Sequence, residues 1–167
     1  MATATTQLHK TKIDIVEDKR EALVELLQAR LVDAIDVQLQ SKQAHWNVKG
    51  PHFIGLHELF DQVHDHAEDW VDLIAERAVI LGGTVDGTPQ TVASGTNLPA
   101  YPTDIKNGAD HVDAFSTALA TFGKHVREAI AKSEELEDMD TADLFTEVSR
   151  AVDKDLWFVE AHQQADK

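Results

Sequence analysis

The chain has 167 residues, with thirty Asp and Glu against fifteen Lys and Arg, a formal net charge of −15. That length makes one domain around a single core, and the charge attracts cations and repels nucleic acid. With no cysteine, disulfides, thiolate sites and iron–sulfur clusters are excluded, so any metal must be held by imidazole and carboxylate, a donor set suited to iron, manganese or zinc.

Residues 1–16 read as a short flexible tail without an apolar leader core, and no later stretch reaches membrane-spanning length. A soluble cytoplasmic protein is therefore expected. From Glu17 to Asn47, Leu23, Leu27, Leu31 and Ala34 recur at helical spacing, with Asp14 and Glu17 as a capping pair. Gly50-Pro51 breaks the chain. A second helix runs from Phe53 to Leu81 and stops at Gly82-Gly83. Its residues Phe60, Val63, Ala67, Trp70, Ile74 and Ala78 fall on one apolar arc. The next stretch, 82–103, is rich in Gly, Pro and Thr; a loop this long carries a function or a short element, and Thr91–Gly95 can supply a short helix. A third helix is expected from Asp104 to Ser133. The acidic stretch Glu134–Asp140 separates it from a fourth, Thr141–His162, leaving 163–167 as a short tail. No strand alternation persists. Helices joined by short, long and short connections give an all-α, ferritin-like four-helix bundle whose long crossover lies between the second and third helices.

The second helix carries four metal-ligand types in a mirrored arrangement. His57 and Asp61 stand one turn apart, as do Asp72 and Glu76, so each pair can share a cation. Eleven residues separate the pairs, nearly three whole turns, which places all four on one side of the helix. Along the axis they lie ~16 Å apart, too far for one ion. A second copy running antiparallel about an axis between residues 66 and 67 sets Asp61 opposite Asp72 and His57 opposite Glu76. The spacing therefore predicts two equivalent metal sites completed across a homodimer. His45, just before the Gly50-Pro51 break, is brought near His57 by the reversal. The chain contains no Glu-x-x-His, the motif with which ordinary ferritin-type bundles hold iron inside one chain.

The segments Ser41-Lys-Gln-Ala-His45-Trp46-Asn47-Val-Lys-Gly50, Phe53-Ile-Gly-Leu-His57-Glu-Leu-Phe-Asp61 and Asp72-Leu-Ile-Ala-Glu76 resemble the signature of the Dps mini-ferritins. Asp153-Lys-Asp-Leu-Trp157-Phe-Val-Glu160 resembles the last helix of that family, and the likeness covers residues 18–160. The resemblance implies a hollow dodecamer of four-helix subunits that binds ferrous iron, oxidises it preferentially with hydrogen peroxide and stores the ferric product, in protection against oxidative stress. It implies ferroxidase ligands His45, His57 and Asp61 from one subunit with Asp72 and Glu76 from its dimer partner. Trp46 resembles a tryptophan that intercepts stray oxidising equivalents; simple packing is the competing reading. Zinc or manganese can occupy the same ligands.

Other residues carry weaker signals. His64 lies near the ligand face, and the same two-fold sets it opposite Asp69 of a second copy, an accessory cation site or merely a half-exposed histidine. His66 points elsewhere and is read as exposed, while His9, His52, His111, His125 and His162 have no ligand partners at local spacing. By resemblance, Asp140, Asp143 and Glu147 border three-fold pores through which iron enters; the competing reading is a solvated helix N-terminus. Relatives that bind DNA use Lys-rich tails, whereas the first thirteen residues here carry only Lys10 and Lys12, so DNA binding is expected to be weak. The alternative function is a nucleoid DNA-binding protein with incidental metal.

Overall fold

The structure is a computed structural model, and it describes residues 8–164. Five helices follow one another: α1 Glu17–Asn47, α2 Phe53–Ile80, the short α3 Pro89–Gly95, α4 Gly108–Glu135 and α5 Met139–Glu160. The described residues contain no strand. α1 packs on α2, α2 on α5, α5 on α4 and α4 back on α1, closing a four-helix ring, while α3 rests on the outside of α1. This is the ferritin-like bundle with one long crossover. No helix is long and apolar enough to cross a membrane among the described residues.

The apolar arcs meet inside the ring. Phe60, Ile74, Phe115, Phe122 and Phe145 are fully buried. Phe60 and Phe115 pack edge to face with centroids 5.5 Å apart, and Trp70 stacks on Phe122 at 6.0 Å. Each such aromatic is worth roughly 3–5 kcal/mol against truncation to alanine.

The crossover, 82–107, is strapped along one edge of α1 by side chains that answer its backbone groups. Gln28 exchanges two hydrogen bonds with the main chain of Asp86, at 2.8 and 2.9 Å. Asp33 accepts from the Asn97 amide, Asp36 from the Thr96 hydroxyl, and Gln40 donates to the Pro99 carbonyl. The crossover thus runs parallel to α1 and delivers the chain to the end where α2 began, so α4 runs parallel to α2. Asp33, wholly buried, also takes Arg30 at 2.9 Å and His125 of α4 at 3.0 Å. His125, without a partner at local spacing, has this one across the bundle.

Several helix ends differ from the sequence expectations. Val16 caps α1 without a side-chain bond, so Asp14 and Glu17 form no capping pair; Arg20 instead reaches back to the carbonyls of Ile15 and Leu81. Residues 8–16 lie against the far end of α2, where the His9 amide donates to the Gly82 carbonyl at 2.7 Å; the rest of the expected tail, 1–7, lies outside the described residues. The expected short helix begins earlier, at Pro89, because proline suits a first helical turn. α4 starts at Gly108 rather than Asp104, because the Asn107 side chain accepts from the Asp110 amide and caps it. α5 starts at Met139 rather than Thr141, capped by Asp138.

The acidic separator is consequently only a tight turn. The amides of Glu137 and Asp138 bond back to Glu134 and Ser133, with Glu137 at φ 61°, the left-handed closure that glycine makes after α2 at Gly82. Asp138 is 4% exposed and receives both Thr141 and the Arg77 guanidinium of α2, the latter at 2.8 Å to each oxygen. Burial pushes its carboxyl up, but the bonds from Thr141 and Arg77 outweigh it and hold the group below its ordinary value. Replacing Asp138 by alanine removes the cap and leaves Arg77 with only the Thr141 hydroxyl and the exposed Asp140, for an expected loss of about 2–4 kcal/mol in denaturant unfolding at pH 7. Because the folded pKa is depressed, this contribution is present above about pH 4 and vanishes as pH falls through the folded value. Wild type and Asp138→Ala should therefore converge in strong acid, and a gap that persists there would show that the effect is not electrostatic.

Candidate metal centre

The site begins at the turn between α1 and α2. Gly50, at φ +118°, permits the reversal, and the two helices leave it antiparallel. His45 in the last turn of α1 and His57 in the second turn of α2 meet face to face, rings 3.6 Å apart and 21° from parallel. Each bonds to the other's backbone: His45 Nδ1 lies 2.7 Å from the His57 carbonyl, and His57 Nδ1 lies 2.8 Å from the His45 carbonyl. A carbonyl only accepts, so both Nδ1 atoms carry hydrogen, and it is in the neutral rings that Nε2 holds the lone pair. The His45 carbonyl is among the last four of α1, which find no partner inside a helix. The clasp thus satisfies a helix end and sets two imidazoles side by side.

The same register repeats two turns away, where His64 Nδ1 donates to the Gln38 carbonyl at 3.1 Å. Between the two clasps stands Asp61, its carboxylate 43% exposed and 3.8 Å from His45 Nδ1. Lys42 of α1 makes an ion pair with it. The Lys42 hydrogen bond, aided by His45 and His64, holds the Asp61 carboxyl below its ordinary value against a smaller opposing effect of burial. Sequence reasoning missed Lys42, although its place three residues before His45 was a signal that one turn of α1 would set it beside the site.

Asp72 and Glu76 lie on the exposed surface of α2. Among the described residues of one chain, no three His, Asp or Glu side chains converge as a cation site. Of the five predicted ligands, His45 stacks on His57 and lies 3.8 Å from Asp61, while Asp72 and Glu76 stand apart from them farther along α2. Trp46 is 68% exposed and packs into no core. Asp69 is exposed, as are Asp140, Asp143 and Glu147; Arg77 lies 4.0 Å from Asp140.

His66 corrects the expectation of a free surface residue. It is half-buried, with Nδ1 at 3.1 and 2.9 Å from the two carboxylate oxygens of Asp155 on α5. Asp155 is 1% exposed, and burial raises its carboxyl despite the opposing pull of His66. Local spacing could not reveal this pair, because its members are far apart in the chain. His111 is likewise buried and bonded to Tyr101.

A family model described as a ferritin-like domain matches residues 24–167. The DNA protection during starvation protein of Agrobacterium fabrum is 47% identical over 156 residues, 93% of this chain and 96% of that relative. Among solved structures, DpsA14 from Streptomyces coelicolor superposes with a TM-score of 0.92 at 30% identity, over 98% of this chain and 96% of that one. Dps from Microbacterium arborescens in the high iron form superposes with a TM-score of 0.84 at 33% identity, over 90% and 97%. The bundle, its crossover and these likenesses agree: the chain belongs to the ferritin-like proteins and, within them, to the DNA-protection-during-starvation (Dps) family.

Proposed function

We propose that this protein is a bacterial cytoplasmic ferroxidase and iron store. Two copies meet about a two-fold axis beside α2, and His45, His57 and Asp61 of one subunit join Asp72 and Glu76 of the other around ferrous iron. Six such dimers close a hollow dodecamer that keeps the ferric product inside. The observation that supports this reading is the His45–His57 clasp beside Asp61, together with the carboxylate pair Asp72 and Glu76 at self-complementary spacing on α2. The high iron form of the Microbacterium relative is consistent with iron as cargo.

The residues suit the reaction. Donation of each Nδ1–H to a carbonyl orients the rings and raises the basicity of Nε2. The ion pair with Lys42 is consistent with a cation-holding Asp61, and ferrous iron displaces the ammonium on entry. Hard carboxylate oxygens bind ferric iron more strongly than ferrous, which favours oxidation. Two ferrous ions give one electron each to hydrogen peroxide, and with two protons the products are two ferric ions and two waters. Hydroxyl radical is thereby avoided, and peroxide is preferred to oxygen because these two electrons carry it to water, whereas they would carry oxygen only to peroxide. When a single electron is missing, the exposed indole of Trp46 supplies it.

Asp143 and Glu147, with Asp140 tempered by Arg77, line the entry for cations, and His64 with Asp69 of the partner subunit forms an accessory cation site. DNA protection in this reading comes from removing iron and peroxide, since a surface of −15 opposes contact with phosphate. A tight mobility shift that weakens steeply with salt and disappears on deleting residues 1–13 would instead favour the nucleoid-binding alternative.

The test is stopped-flow oxidation after anaerobic ferrous loading, with peroxide and oxygen compared. In His57→Ala/Asp61→Ala the initial rate should fall at least about 100-fold while the shell still assembles; unchanged rates in an assembled variant sink the site. The shared site makes a sharper prediction. Co-assembly of His57→Ala/Asp61→Ala with Asp72→Ala/Glu76→Ala, each inactive alone, regenerates one intact site per mixed dimer. With random 1:1 pairing, about a quarter of wild-type activity should return. No recovery in verified mixed dimers would place all the ligands in one chain.

A further inference from the structure

Between the crossover and the first turns of α4 lies a cavity of about 290 Å³ that the metal chemistry does not use. The crossover lines it with Pro99, Tyr101, Pro102 and Ile105, α4 adds Asp110, Asp113 and Ala114, and α1 contributes Gln40. Gln40 is 5% exposed, whereas both aspartates are exposed. The cavity therefore runs from an acidic mouth to a buried amide, with apolar walls between.

That amide is only half satisfied. Its Nε2 donates to the Asp36 carboxylate at 3.1 Å and to the Pro99 carbonyl at 3.0 Å. Both partners only accept, so a flipped amide would set oxygen against oxygen, and the orientation is fixed. Oε1 is left buried without a donor, an arrangement that is costly and rare in folded proteins. The hydroxyls on the walls are committed elsewhere: Tyr101 to Nδ1 of His111 at 2.7 Å, and Thr117 to the Asp113 carbonyl at 2.8 Å. The missing donor must come from outside. Charge at both ends calls for the same kind of group. Asp110 accepts from the Asn107 side chain at 2.6 Å. Behind the Gln40 amide, Asp36 accepts from Gln40 and from the Thr96 hydroxyl. Among the described residues neither Asp36, Asp110 nor Asp113 has a basic partner.

We propose that this cavity binds an alkyl diamine. One ammonium donates to Gln40 Oε1 in the field of Asp36, the methylenes lie along Pro99, Pro102 and Ile105, and the second ammonium meets Asp113 at the mouth. Acceptors at both ends, hydrocarbon between them and an aromatic ring in the wall match two positive charges separated by an apolar spacer. A bare metal ion suits the site less well, because among the described residues no three His, Asp or Glu side chains converge. An anion would face carboxylates and a lone carbonyl oxygen. The bound diamine joins the crossover to α4 and gives a surface of −15 a localised counter-ion.

The test is calorimetric titration of the assembled, iron-free full chain with 1,4-diaminobutane at physiological ionic strength, with butylamine and magnesium chloride for comparison. Wild type should take one diamine per subunit, at least about tenfold more tightly than either comparison ligand. Gln40→Met keeps the length of the side chain but removes the acceptor, and should weaken the diamine at least about tenfold. Asp113→Asn should weaken it at least about fivefold. Ala114→Phe fills the cavity while leaving the bonds of Gln40 in place, and should abolish binding. Glu25→Gln removes one exposed charge from α1 outside the cavity, and should change the affinity less than about twofold. Diffuse attraction to an acidic surface would give equal losses in Glu25→Gln and Asp113→Asn, or binding that survives Ala114→Phe; either result overturns the proposal. So does a diamine that binds no better than magnesium, or a titration without saturable heat, which means that the cavity holds only water. Should Gln40→Met loosen the crossover, seen as lost helicity in circular dichroism, the folded Ala114→Phe variant decides.

Discussion

His45 and His57 bond to each other's backbones, and they can do so in only one alignment of α1 against α2. Sliding α2 by a single residue turns its ligand face by about 100°, which would break the clasp and carry Asp61 away from Lys42. The His64 bond to Gln38 obeys the same register two turns on, so the alignment is fixed along the ligand-bearing half of the hairpin. The turn sets its start, since Gly50 takes a backbone conformation that other residues resist. The buried row Phe60, Val63 and Ala67 holds it thereafter. Packing and metal chemistry are thus two faces of one helix, and the core fixes which side chains reach the site.

That division also explains why the chain departs from ferritins that hold iron within one bundle. The space between the four helices is filled by Phe60, Phe115, Phe122 and Phe145, and ionic ligands there would need a costly rearrangement of buried charge. The buried acids sit instead at helix seams, each with a partner: Asp33 with Arg30 and His125, Asp138 with Arg77, and Asp155 with His66. The remaining face of α2 carries the donors. Because its pairs are separated by nearly three turns, one copy would hold only half of each site in the proposed dimer.

Much of this was legible in the sequence, for identifiable reasons. Both ends of α1 and the start of α2 were readable because Gly50-Pro51 and the apolar periodicity mark them independently. That His57 with Asp61, and Asp72 with Glu76, stand one turn apart on α2 was readable because helical spacing is a local property. The beginnings of α4 and α5 were misplaced because Asn107 and Asp138 act as caps within runs that composition marks only as loop or acidic. Asp14 and Glu17 have the right types for a capping pair, but Arg20 ties that end to other elements. His66 and Asp155, Tyr101 and His111, and Asp33 and His125 come from separate segments, so no local pattern could pair them. Lys42 lay within the motif itself, yet a lysine among metal ligands reads as solvated until the fold sets it against Asp61.

Lys42 bears on how a shared site assembles before iron arrives. In the dimer proposed for this chain, each site gathers Asp61 with Asp72 and Glu76 of the partner subunit. Three carboxylates brought together without a cation repel one another, and some relieve the repulsion by taking up protons. The Lys42 ammonium on Asp61 neutralises one of them within its own subunit, so the interface can close with less accumulated charge. A divalent ion offers more charge and more coordination than an ammonium, and the two waiting Nε2 lone pairs favour it further, since ammonium has no use for an imidazole donor. Displacement of Lys42 therefore becomes favourable only when both halves of the site are present, which couples iron binding to the assembled pair.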